Sequence, residues 1–145
     1  MLSEHFSLDE FTASQEATRH GINNKPSEKV VENLRMLAAL LEQVRELLGG
    51  NSIRISSGYR SLALNRHIGS NDTSAHIRGW AADFTCPSFG TPIDVAKKIA
   101  ESNLKFDQLI FEGTWVHISC DPQNRRQLLT ARFKDGHTYY TTGIA

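Results

Sequence analysis

Between Pro26 and Gly50, apolar residues recur at alternating spacings of three and four: Val30, Leu34, Leu37, Leu41, Val44 and Leu48. That period places them on one stripe of a single helix, which Val31, Ala38 and Leu47 widen. Glu28, Glu32, Arg35, Glu42, Arg45 and Glu46 fall on the solvated side; Pro26-Ser27 opens the helix and Gly49-Gly50 ends it. A stripe of this length must be covered. About three turns of a/d pattern is short for a coiled coil, so the stripe is expected to pack on a sheet in the same chain.

The sheet is legible as period-two segments. Ser52 to Ser57 alternates, with Ile53 and Ile55 on one face. Gly58-Tyr59-Arg60-Ser61 turns the chain into a short helix, S-L-A-L-N-R-H-I, closed by Gly69, and the turn formers S-N-D-T-S-A read as a loop delivering His76. Gly79 to Phe84 is the next strand, with Gly79, Ala81 and Asp83 on one face and Trp80, Ala82 and Phe84 on the other. Thr91-Pro92-Ile93-Asp94 is a capping box that starts a helix running to about Ser102. Asp107 to Glu112 and Trp115 to Cys120 are strands joined by Gly113-Thr114. After the polar stretch begun by Asp121-Pro122, Leu128 to Phe133 and Thr138 to Thr142 form a hairpin around Lys134-Asp135-Gly136. Residues 1–24 read as helical turns capped by Ser7 and Ser14, pinned to the body by Leu8, Phe11 and Ile22. The order predicts one α+β domain spanning 1–145, a mainly antiparallel sheet with helices on one side.

Sixteen basic and sixteen acidic residues cancel. Nothing therefore steers the chain toward nucleic acid or an anionic membrane, and a monomer is expected. No apolar run reaches transmembrane length. The N-terminal M-L-S-E-H-F-S-L-D-E-F is acidic and lacks a long apolar block, so the reading is cytoplasmic synthesis without a secretory signal. Cys86 and Cys120 each follow a candidate ligand by three residues on strands expected to be antiparallel neighbours. The thiols then diverge along the sheet and turn away from the ligand face, which predicts two free thiols.

The chemistry concentrates between Ile55 and Phe84, and again at Trp115-Val116-His117. His76 lies in a polar loop, Asp83 interrupts W-A-A-D-F and His117 interrupts V-H-I. Strand parity puts Trp115, His117 and Ser119 on one face and Val116, Ile118 and Cys120 on the core face. The His-x6-Asp spacing alone is weak, since the composition gives about 0.3 chance matches. A carboxylate inside an apolar strand is costly unless it is paired or metal-bound. Both readings, a metal site and a salt-bridged polar core, stand on these residues alone.

S-S-G-Y-R-S, then S-A-H-I-R-G-W-A-A-D-F, then W-V-H-I-S resemble the zinc D-Ala-D-Ala carboxypeptidase family, the M15-type peptidases. That family shares its fold with the hedgehog signalling domain, and the likeness is closest to the short, phage endolysin branch. It implies that His76, Asp83 and His117 hold Zn²⁺ with one position open to solvent, a pattern suited to a hydrolase. It implies that Arg60 meets the substrate carbonyl or oxyanion. Ser74, read from its place before His76, either binds substrate or orients the metal loop, or serves turn chemistry alone. Trp115 would floor the pocket. In better-known members an acid lies three residues before the last His, where this chain has Thr114. Glu112 is the nearest acid and takes the general-base role, with Asp107 in reserve as a strand-start cap. The implied substrate is a peptide amide bond in bacterial peptidoglycan, cut by an endolysin acting on the cell wall after release. The alternatives are a DD-carboxypeptidase or dipeptidase on small D-amino-acid peptides, and a non-catalytic zinc-stabilised wall-binding module. His5, His20, His67 and His137 read as non-ligands, Tyr59 and Trp80 as core, and Arg125-Arg126 as a solvated pair.

Overall fold

The computed structural model describes residues 1–145. Two short helices open it, α1 (Leu8–Thr12) and α2 (Gln15–Arg19). Ser7 forms a capping box with Glu10, and Ser14 accepts from the Ala17 amide. Phe6 and Phe11 are buried, and Asn24 ties the arm down by donating to the Thr12 and Tyr59 carbonyls and accepting from the Ser61 amide. Ser27 caps α3 (Glu28–Leu47), the helix that the apolar stripe predicts. Strand β1 (Arg54–Ser57) leads to α4 (Leu62–His67), then to a 3₁₀ turn at Ala75–Arg78 and strand β2 (Ala81–Thr85). Helix α5 (Pro92–Glu101) starts at the predicted capping box. Four strands follow: β3 (Gln108–Phe111), β4 (Val116–Ser119), β5 (Gln127–Lys134) and β6 (His137–Thr142).

The six strands form one sheet in the order β1-β2-β4-β3-β5-β6. All neighbours are antiparallel except β3 and β5. The α+β class and the mostly antiparallel sheet agree with the sequence reading. The succession of tight turns did not foresee that β5 passes β3 and lies parallel to it. One core cluster joins Leu34, Leu37, Leu41 and Val44 of α3 to Val95 and Ile99 of α5, and to Ala82, Phe84, Leu109, Val116 and Ile118 of the sheet. At the far edge, Asp135 and Gly136 both take positive φ, the two-residue turn that matches the twist of a hairpin.

Two boundaries correct the sequence reading. Gly79 is left-handed (φ 75°) and ends the 3₁₀ turn rather than starting β2, so the strand face begins at Ala81. His76 sits on that turn and not in an open loop. Arg125 and Arg126 are likewise not a solvated pair. Arg125 donates through Nε and Nη2 to the buried Asp107 carboxylate at 2.9 and 2.8 Å, and Arg126 donates to the Leu104 and Ser102 carbonyls just beyond α5.

Candidate metal centre

Strands β2 and β4 pair so that Asp83 stands directly opposite His117. Alternation does the rest: Ala82, Phe84, Val116 and Ile118 enter the core, while Asp83 and His117 face the other way. His117 Nδ1 lies 3.0 Å from Asp83 Oδ1. His76 Nε2 lies 3.4 Å from the same oxygen, and the two imidazole rings meet edge-on with centroids 5.2 Å apart.

His76 is aimed from three directions. Ser74 caps the 3₁₀ turn by accepting from the His76 amide, the His76 carbonyl accepts from the Arg60 amide, and Nδ1 lies 2.7 Å from the Gly58 carbonyl. A carbonyl only accepts, so Nδ1 carries the proton and Nε2 presents a lone pair toward Asp83. The two glycines of the motif have steric reasons. A Cβ on Gly58 would lie 2.6 Å from the Phe11 carbonyl oxygen, where the N-terminal arm crosses. A Cβ on Gly79 would press on Val30 of α3, and the left-handed backbone there strains any other residue.

The three side chains are 3%, 8% and 8% exposed for His76, Asp83 and His117. Burial lowers the His76 pKa, which keeps the ring neutral and able to donate its lone pair. Burial alone would raise the Asp83 carboxyl, but the His117 and His76 imidazoles beside it outweigh that and hold the group well below the usual carboxylate range. One donor atom from each residue lies within 4.8 Å of the others. Zn²⁺ with ligands at 2.0–2.1 Å in a tetrahedron needs donors about 3.3 Å apart. The observed 3.0 and 3.4 Å bracket that edge, so the donor set fits the ion. Neither cysteine completes it. Both are free, Cys86 belongs to the core cluster, and burial pushes the Cys120 thiol up to about 12.

A family model, Peptidase M15, matches residues 4–119. The chain belongs to the peptidase M15 family. As an M15 peptidase it is a metallopeptidase, and the matched span contains His76, Asp83 and His117. Comparison with curated proteins gave no match.

In this M15 peptidase the three donors line a cleft of about 550 Å³. Arg60, Ser74, Glu112 and Trp115 line it too, so the cleft brings together every site residue expected from sequence. Glu112 arrives by a tight turn: its amide bonds to the Trp115 carbonyl, and its carbonyl accepts from Thr114. Thr114 is exposed and does not line the cleft. Trp115 lines the cleft, and its indole N–H donates to Glu112 Oε2. Burial and the nearby Asp83 charge raise the Glu112 pKa, against the opposing pull of His117, Trp115 and Arg60.

Arg60 is half-buried, and its one side-chain hydrogen bond is a long one, 3.4 Å from Nη2 to Ser74 Oγ. Its Nε is buried without a partner. Burial lowers its pKa while Asp83 and Glu112 raise it, and a guanidinium stays charged under either influence. Asp107 is removed from contention as a base because Arg125 occupies both its carboxylate oxygens. Sequence reasoning missed Tyr140, which lines the cleft opposite Ala131 of β5. Its place in the closing hairpin was visible, but the parallel crossover that turns this hairpin's face toward the site was not.

Proposed function

We propose that this chain hydrolyses an amide bond in peptidoglycan stem peptides or crosslinks, as an endopeptidase of the phage endolysin kind. One observation carries the reading: a buried two-histidine, one-aspartate set opens on a cleft flanked by a carboxylate of raised pKa and an uncommitted guanidinium. Zn²⁺ held by His76, Asp83 and His117 would supply Lewis-acid polarisation and lower the pKa of water. The rest is assigned to the protein's own side chains.

Glu112 is the proton carrier. Its raised pKa suits a group that must take a proton from attacking water and return it to the departing amine nitrogen. The Trp115 indole fixes one carboxylate oxygen and leaves the other for that transfer. Arg60 donates to the carbonyl oxygen as negative charge develops on it, with Ser74 holding one end of the guanidinium in place. The cleft is a polar trough rather than an apolar slot, in keeping with a peptide substrate carrying carboxylates and amides.

The test is digestion of purified peptidoglycan with and without chelator, followed by mass spectrometry of the products. Cut crosslinks or stem peptides are expected, abolished by chelator and restored by Zn²⁺. Release of one terminal D-Ala alone would move the assignment to a carboxypeptidase. Binding of wall fragments without cleavage, unchanged in Glu112→Ala, would replace it with a binding module.

A further inference from the structure

A second set of two imidazoles and a carboxylate lies outside the cleft. Glu16 and His20 are one turn apart at α2, and His67 is the last residue of α4. His20 Nε2 and His67 Nε2 each lie 3.4 Å from the same Glu16 oxygen, Oε2. The two rings are 4.3 Å apart at their centroids. All three donors lie within 4.8 Å of one another.

These distances suit a shared ion better than direct hydrogen bonds. An N–H···O hydrogen bond falls at about 2.7–3.2 Å, so 3.4 Å is long for either histidine. Ligands of a tetrahedral ion at 2.0–2.1 Å stand about 3.3 Å apart, which both pairs match. The buried centre shows the same 3.4 Å separation between His76 and Asp83. The competing cation is Arg19, whose Nη1 lies 3.9 Å from the other Glu16 oxygen, Oε1, and leaves Oε2 to the histidines.

We propose that Glu16, His20 and His67 form a second divalent-metal site, one that staples the N-terminal arm to α4. Two imidazoles and one carboxylate select a borderline transition ion such as Zn²⁺ over Ca²⁺ or Mg²⁺. With side chains 46%, 47% and 35% exposed for Glu16, His20 and His67, the ion keeps solvent in its remaining positions and binds more weakly than at the buried centre. Its position gives it a consequence. The segment after His67 leads through Ser74 to His76, so fixing the end of α4 to the arm steadies the span that carries a ligand of the first centre.

Calorimetric titration of the metal-free chain with Zn²⁺ tests this without reference to peptidase activity. Two equivalents are expected, the weaker lowered on the order of 10- to 100-fold or more by His20→Ala or His67→Ala. Both side chains are exposed, so the variants should keep the wild-type circular dichroism, and the tighter equivalent should be unchanged. In Asp83→Asn protein, the equivalent that remains should be the one His67→Ala removes. A wild-type stoichiometry of one that Asp83→Asn abolishes would overturn the proposal. So would a second equivalent that persists in the His20→Ala/His67→Ala double variant.

Discussion

Asp83 and Phe84 are neighbours in β2, yet they live in opposite worlds. Phe84 is wholly buried among aliphatic side chains of α3, α5 and the sheet. Asp83 is nearly as buried, but among two imidazoles at the base of a polar cleft. The same holds one strand over for His117 and Val116. The pleat places a packed core and a reactive site back to back on two strands, separated by the thickness of one sheet. What this teaches is a division of labour. The core face can make the ladder rigid without touching the chemistry, and the site face can carry polar groups whose burial is costly because the ladder is stabilised elsewhere.

The strongest challenge to that division is to change one face at a time. Asp83→Asn should lower kcat/KM on muropeptides by about 10³-fold or more, since it removes the charge the donor set needs. Bound metal at the buried centre should fall with it in elemental analysis. Glu112→Gln should cost about 10²- to 10⁴-fold in kcat while the metal content stays intact. Retained activity in Glu112→Gln would remove the proton-carrier role and leave the metal centre standing.

Phe84→Ala is the mirror experiment. Truncating a fully buried Phe costs about 3–5 kcal/mol, measured as a shift in the urea midpoint. Turnover per folded molecule should stay within a few-fold of wild type. A collapse of turnover in the folded fraction would mean that the two faces are coupled and that the back-to-back description fails.

Gly58→Ala attacks the join between the faces, with a smaller expected loss. The added methyl meets the Phe11 backbone, which cannot yield as a flexible side chain would. Overpacking of this kind costs about 1–3 kcal/mol. Because the Gly58 carbonyl orients His76, activity should drop by about tenfold in molecules that remain folded. Stability lost with full activity retained would show that the arm's crossing does not set the ring.

This uneven coupling also explains what could be read from the chain and what could not. The α3 stripe was legible because burial on one side leaves a 3.6-residue period, and the capping boxes at Ser7 and Thr91 are local signals. The core parity of Val116 and Ile118 followed from alternation in the same way. His76, Asp83 and His117 stood out as either a metal site or a salt-bridged polar core, and only the family motif chose between them, because spacing within the chain says nothing of the register that sets residue 83 opposite 117. The 3₁₀ turn was hidden by turn-forming neighbours that read equally well as loop. The β3–β5 pairing, the Asp107–Arg125 bond and the Tyr140 wall all depend on the crossover after β4, a long-range event without a local signature.

The smallest effect belongs to Asp107, which sits at the start of β3 and 2% exposed. Hydrogen bonds from Arg125 hold its carboxyl below the usual range against the opposing effect of burial. The folded-state pKa therefore lies under the unfolded one. The resulting stability is fully present above the unfolded value of about 3.9 and disappears as pH falls through the folded value. Asp83 contributes with the same sign, so the wild-type acid limb is shared between the core of the site and its rim. Arg125→Ala separates them. It should cost about 1 kcal/mol at neutral pH, discounted for the half-exposed guanidinium, and the gap from wild type should close as the pH approaches 2. Urea midpoints from pH 7 downward measure it. If the gap stays constant with pH, the arginine acts through packing rather than charge, and the acid sensitivity of this M15 peptidase belongs to the buried centre.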